Sequence, residues 1–242
     1  NFPGLSPSPA DLDALSAAIE QTHASWIVLA GSVPPGVSTE IYRELTRMAK
    51  SWGCKVALDA SGEALRSSLD APRDALPHLV KPNLAELEEW LGESLSSPTA
   101  ILQAANNLLE RGIEQVAVSM GGDGVLLVSR QGAVWATPPA IEVGSTVGAG
   151  DALVAGLVAA SIRGLSQSES AILGTSFSLD ALTHNGVYGL SEDPAKNWSG
   201  RIAVRPLVSV RGSPKVMAAL PTPVWSQPAR EVKKSISLAE PI

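Results

Sequence analysis

Two rhythms of apolar and polar positions alternate along this chain, and the switches between them predict its elements. Residues 10–21 repeat apolar side chains at helical spacing, with Leu12, Leu15 and Ile19 on one face. The run Trp26-Ile27-Val28-Leu29-Ala30 then stops at Gly31, and its length and β-branching predict a buried strand. Ile41, Leu45, Met48 and Trp52 predict an amphipathic helix over 39–52, and Lys55-Val56-Ala57-Leu58-Asp59 reads as a second strand that ends on an acid. Leu79-Val80-Lys81 reads as a third strand, followed by helices over 84–91 and 100–111 that Ser96-Ser97-Pro98 separates. Gln115-Val116-Ala117-Val118-Ser119 is the clearest strand. Segments 124–129 and 133–137 predict an antiparallel pair that turns at Arg130-Gln131-Gly132, and helices over 151–162 and 168–183 complete the pattern.

Strands that alternate with helices imply an α/β fold, a mostly parallel sheet with helices on both faces. In such sheets ligands bind beyond the carboxyl ends of the strands. The residues with chemistry to offer fall there: Gly31-Ser32, Asp59, Lys81-Pro82-Asn83 and Ser119-Met120-Gly121. From Leu190 the periodicity fades and prolines accumulate (Pro206, Pro214, Pro221, Pro223, Pro228). The expected division is a domain over 1–189 and an irregular Pro-rich extension over 190–242, with short strands near 201–204 and 208–210 and no chemistry of its own.

Composition narrows the function. The 242 residues are 45% hydrophobic and 17% charged, enough apolar material for a sizeable core, and aromatics are few. A net charge of −6 with no basic block longer than Lys233-Lys234 argues against nucleic acid or an acidic membrane surface as partner. Cys54 is the single cysteine, so no internal disulfide forms, which fits a cytoplasmic protein. No apolar run is long enough to cross a bilayer. The start at Asn1-Phe2-Pro3-Gly4 lacks Met and a signal core, and reads as a processed product or a fragment. His23, His78 and His184 show no spacing of a metal site.

The most informative stretch is Gly144-Ser145-Thr146-Val147-Gly148-Ala149-Gly150-Asp151, which runs straight into Ala152-Leu153-Val154-Ala155-Gly156-Leu157-Val158. It reads as a turn feeding the first turn of a buried helix, where unpaired N–H groups and the helix dipole favour an anion. A carboxylate at the same helix start can take a proton from a hydroxyl held beside that anion. A tight strand-to-helix turn with Asp as N-cap would look the same. A Walker loop is excluded because no Gly-Lys pair occurs, and a dinucleotide fingerprint lacks its third glycine where Leu153 stands.

Five segments occur in an order and at separations that resemble the ribokinase family of carbohydrate kinases, in its phosphofructokinase-B branch and nearest the bacterial 1-phosphofructokinases. They are 31–36 (Gly-Ser-Val-Pro-Pro-Gly), 58–65 (Leu-Asp-Ala-Ser-Gly-Glu-Ala-Leu), 81–87 (Lys-Pro-Asn-Leu-Ala-Glu-Leu), 119–124 (Ser-Met-Gly-Gly-Asp-Gly) and 145–151. The resemblance spans about Asn1 to Gly186. It implies ATP-dependent, Mg²⁺-assisted phosphorylation of a sugar phosphate, fructose 1-phosphate first. Fructose 6-phosphate, tagatose 6-phosphate or a catalytically inactive remnant stand as the alternatives. It implies small-molecule partners, ATP and the sugar phosphate, and is compatible with a homodimer. It also implies that the family's N-terminal strands and lid are absent here, which would leave a sheet edge uncovered.

By the same resemblance Asp151 is the catalytic base, and the N–H groups of Gly148, Ala149 and Gly150 form the anion hole. Asn83 and Glu86 match an Asn-x-x-Glu motif that organises Mg²⁺ and nucleotide phosphates through water, although a capping box has the same spacing. Lys81, Ser119, Gly121, Gly124 and Asn185 fall on the nucleotide side. For these a surface lysine, a hairpin entrance and a helix end are the structural alternatives. Ser32 and Asp59 match the sugar-phosphate side, with Asp59 equally able to cap the turn into Ser61-Gly62.

Overall fold

A computed structural model describes residues 6–144, 146–183 and 190–207. Its first half is a run of strand-helix units: α1 (Pro9–Gln21), β1 (Trp26–Ala30), α2 (Ile41–Ser51), β2 (Lys55–Asp59), α3 (Gly62–Leu69), β3 (Leu79–Val80), α4 (Leu84–Leu91), α5 (Pro98–Arg111) and β4 (Gln115–Ser119). Then come β5 (Val125–Ser129), β6 (Gly132–Thr137), α6 (Ala149–Ile162), α7 (Gln167–Thr183), α8 (Pro194–Trp198) and β7 (Ala203–Leu207). The seven strands form one sheet in chain order, β1 to β4 parallel and β4 to β7 antiparallel. The parallel strands need helical crossovers, whereas Arg130 and Gln131 suffice to turn β5 into β6.

Strand periodicity sorts the core into two layers. Val56, Leu58, Val80, Val116, Val118, Leu126 and Val128 pack with Leu45 and Ala49 of α2, Leu65 and Leu69 of α3, Leu87 of α4, and Ile101 and Leu108 of α5. Their neighbours Ala57, Leu79, Ala117, Val125 and Leu127 face Leu153, Val154 and Leu157 of α6 and Ala171 and Leu179 of α7. Small side chains on this second face let α6 lie close beneath the strand ends. β1 closes one side of the sheet, and Val28 there is 46% exposed. Among the described residues no helix is long and apolar enough to cross a membrane.

Two expectations change. Helix α3 lies where only a turn was read, because its eight residues mix Glu63, Arg66, Ser67 and Ser68 with a short apolar face. The chain after Leu190 does not turn irregular at once. The Asp180 carboxylate, buried on α7, accepts hydrogen bonds from the Ser191 amide and hydroxyl, Asn197 Nδ2 and Trp198 Nε1, which fastens α8 to the domain. β7 then joins β6, and Pro206 is tolerated because β7 is an edge strand. The strand expected near 208–210, with the rest of the extension, lies outside the described residues.

Candidate active site

The carboxyl ends of β1 to β4 carry the residues that the sequence marked. Gly31 and Ser32 follow β1, and the Gly31 N–H donates to Asp59 O at 3.0 Å, which ties the first two strand ends together. Gly31 has φ +97°, a conformation that glycine adopts without penalty, and it turns Ser32 out into solvent. Asp59 ends β2, Lys81 follows β3, and Ser119 ends β4 beside Asn83, its N–H donating to Pro82 O at 3.0 Å.

Asp59 and Lys81 form the electrostatic centre of this edge. Lys81 Nζ lies 3.0 Å from Asp59 Oδ1, with the lysine side chain 6% and the aspartate side chain 17% exposed. Burial pushes the Asp59 carboxyl above its ordinary range, Lys81's charge and hydrogen bond pull it back, and the charge of Asp151 pushes it up again. The Asp151 carboxylate therefore lies near enough to act on Asp59. Lys81 and Asp59, which the resemblance puts on the nucleotide and sugar-phosphate sides, are paired with one another in this structure.

The N-terminus of α6 stands over this pair. Gly148 caps the helix with φ +82°, and its carbonyl accepts the first helical hydrogen bond from Ala152 N at 2.9 Å. The N–H groups of Gly148, Ala149 and Gly150 donate to no described residue, so three amides are available at the positive end of the helix. Asp151 sits in the same first turn and is exposed. A methyl group on Gly150 would come within 3.3 Å of Asp59 Oδ2 and 3.4 Å of Lys81 Nζ, so the ion pair lies close to this turn of the helix. Ser145 and Asn185 lie outside the described residues.

Asn83 and Glu86 sit at the start of α4 as a reciprocal capping box. Asn83 Oδ1 accepts the Glu86 N–H at 2.9 Å, and Glu86 Oε2 accepts the Asn83 N–H at 2.8 Å. That leaves Glu86 Oε1 and the Asn83 side-chain amide for any further partner. On the next loop Gly121 has φ +56° and Gly124 φ +99°. A methyl group on Gly124 would lie 2.0 Å from Ala136 O, so this glycine is required by the close approach of β6 whatever else the loop does. Trp135 Nε1 donates to Asp123 O at 2.8 Å and holds the same loop.

Sequence reading missed Tyr42. Its hydroxyl lies 3.0 Å from both Ala30 O and Gly31 O, at the end of β1. Burial, and then the nearby charge of Asp59, raise its ionisation above the ordinary range. The signal was a hydroxyl at the head of the stripe that continues through Leu45, Thr46 and Ala49.

Residues 8–193 match the family model described as pfkB family carbohydrate kinase. This chain belongs to that family. It is 47% identical over 189 residues to the 1-phosphofructokinase of Rhodobacter capsulatus, covering 77% of this chain and 58% of that protein. The 1-phosphofructokinase of Xanthomonas campestris is 36% identical over 207 residues, 84% of this chain and 65% of that one. Among solved structures, Escherichia coli phosphofructokinase-2 in complex with potassium superposes with a TM-score of 0.76 at 28% identity, over 83% of this chain and 64% of that chain. The same enzyme in complex with substrates and products gives a TM-score of 0.75 at 29% identity, with the same coverage. The chain thus spans less than two thirds of the length of each of these pfkB-family relatives.

Proposed function

We propose that this pfkB-family chain transfers the γ-phosphoryl group of ATP to a hydroxyl of a sugar phosphate, with fructose 1-phosphate as acceptor and fructose 1,6-bisphosphate and ADP as products. The observation that carries the reading is the start of α6, where three amides with no partner among the described residues adjoin the carboxylate of Asp151 above a buried ammonium. Asp151 takes the proton of the sugar hydroxyl as its oxygen bonds to the γ-phosphorus and the bond from that phosphorus to ADP breaks. The amides of Gly148, Ala149 and Gly150 stabilise the charge on the transferring group. Such transfer depends mainly on positioning and charge stabilisation, and losing one donor of this kind costs on the order of a hundredfold in rate.

Among the described residues no three His, Cys, Asp or Glu side chains gather to hold a metal ion. Mg²⁺ keeps waters and is usually shared between one or two carboxylates and substrate phosphates, so a free carboxylate oxygen beside an amide suits it. Glu86 Oε1 and Asn83 would hold it, directly or through water, and the ion would neutralise phosphate charge. The acceptor assignment rests on the relatives named 1-phosphofructokinase, at 47% and 36% identity.

The test is ADP release from Mg²⁺-ATP with fructose 1-phosphate, fructose 6-phosphate and tagatose 6-phosphate in parallel. Turnover with fructose 1-phosphate that vanishes in Asp151→Asn supports the reading. Preference for another of the three moves the acceptor, and no turnover from folded protein leaves a remnant that has kept the site but not the reaction.

A further inference from the structure

Lys81 is an ammonium with three protons, yet among the described residues its only polar partner is Asp59. Two donors on a side chain 6% exposed are left without a described acceptor, and an unspent buried donor is costly unless something comes to meet it. The pair also lies close to the first turn of α6. Asp59 Oδ1 holds the ammonium, Asp59 Oδ2 lies 3.3 Å from where a methyl group on Gly150 would be, and Lys81 Cε and Nζ lie 3.4 Å from the same point. A side chain at position 150 would therefore meet the carboxylate and the ammonium together, so the pair faces the α6 backbone across a gap of about one methyl group. A buried ion pair is weak evidence for stability, because desolvation offsets much of the attraction; its firmer use is to fix position.

We propose that Asp59 is a positioning residue: its carboxylate holds the Lys81 ammonium beneath the first turn of α6, so that the amides of Gly148, Ala149 and Gly150 meet an anion with a fixed positive charge behind them. The inference rests on the ATP-dependent reading above. It differs from a direct role in sugar binding, because Asp59 acts only through Lys81. Its side chain is mostly buried, and Oδ1 is engaged by the lysine. The gain is pre-organisation. A lysine free to sample its rotamers loses that freedom when a phosphate binds, whereas one already held does not.

The experiment is titration calorimetry of Mg²⁺-ATP against the wild-type chain, Asp59→Ala, Asp59→Asn, Asp59→Glu, Lys81→Met and the Asp59→Ala/Lys81→Met double variant. Asn keeps an acceptor for Nζ at the same reach, Glu keeps the charge but displaces the lysine, and Ala removes the tether. The expected Kd rises about tenfold in Asp59→Ala and about fivefold in Asp59→Glu, and stays within about threefold of wild type in Asp59→Asn. Once Lys81 is Met, Asp59→Ala should change Kd by less than about twofold, since two residues that act as one unit are not additive. Equal weakening by Ala with and without Lys81, or an Asn variant as weak as Ala, overturns the inference. Should the alanine variant not fold, Asp59→Glu decides: a wild-type Kd there also overturns it. Wild-type protein that binds no Mg²⁺-ATP sinks the kinase reading and the inference together, whereas tight binding with an additive cycle sinks the inference alone.

Discussion

Gly156 of α6 and Gly174 of α7 meet backbone to backbone: a methyl group on Gly156 would lie 2.7 Å from Gly174 Cα and 2.9 Å from Leu173 O. The contact matters for the site, because α6 carries the amides and the carboxylate in its first turn, about two turns before Gly156. Gly174 is equally closed, with Leu153 and Leu157 side-chain carbons 3.0 Å from its virtual methyl. Neither glycine has positive φ, so the requirement is space and not backbone conformation.

Gly156→Ala should therefore destabilise the chain by about 1–3 kcal/mol, the usual cost of overpacking, despite the better helix propensity of alanine. Urea unfolding reads this directly as a lowered midpoint at unchanged slope. A midpoint equal to wild type would mean that the two helices slide apart at no cost.

Asp151→Asn should abolish phosphoryl transfer and leave the Kd for ATP within about threefold, since the amide keeps the shape of the carboxylate but cannot accept the proton. Asp151 is exposed and makes no described hydrogen bond, so stability should hardly move. ADP release and nucleotide titration on the same preparation separate the two quantities. Turnover retained in Asp151→Asn removes it as the base.

The two roles open to Asn83 and Glu86 come apart in a pair of variants. Asn83→Ala removes the acceptor for the Glu86 N–H and should cost about 1 kcal/mol of stability. Glu86→Gln retains an oxygen for the Asn83 N–H, so the box survives while the charge goes. Its melting temperature should stay near wild type while the Mg²⁺ concentration for half-maximal activity rises several-fold. An unchanged Mg²⁺ requirement would leave the pair as a helix cap alone.

How far the sequence carried this picture depends on the range of the interactions. β1, β2 and β4 were legible because each is a short segment with three to five consecutive apolar residues, bounded by a glycine, a charge or a polar residue. The motif from Gly148 to Asp151 was legible because its turn, its free amides and its acid are neighbours in the chain. The Asp59–Lys81 pair was not. The two are far apart in sequence, and only the parallel register of β2 with β3, Leu58 opposite Val80, brings their strand ends together. β7 was legible only in part: the strand expected near 201–204 overlaps its first two residues, whereas Arg205 and Pro206 carry no strand rhythm and pairing with β6 supplies what the pattern lacks.

His78 gives a pH dependence at the other end of the same strands. Its Nδ1 accepts the Val56 N–H at 3.0 Å, and its ring meets Trp26 edge-on at 6.3 Å between centroids. Only an unprotonated Nδ1 can accept that bond. Burial lowers the imidazole below its ordinary value; Glu114 opposes the shift, and Lys50 and Lys55 reinforce it. A histidine whose folded pKa is depressed contributes stability that is fully present above its unfolded value, near 6.5, and is lost as pH falls through that value toward the lower folded one. Unfolding free energy should therefore drop between neutral and mildly acidic pH by more in wild type than in His78→Asn, where the side-chain oxygen can accept the Val56 N–H at every pH. Urea titrations of both proteins across that window isolate the term, because the remaining carboxylates and histidines are common to the two. Parallel curves would show that losing the Val56 bond on protonation costs nothing, with water accepting the Val56 N–H in place of the ring.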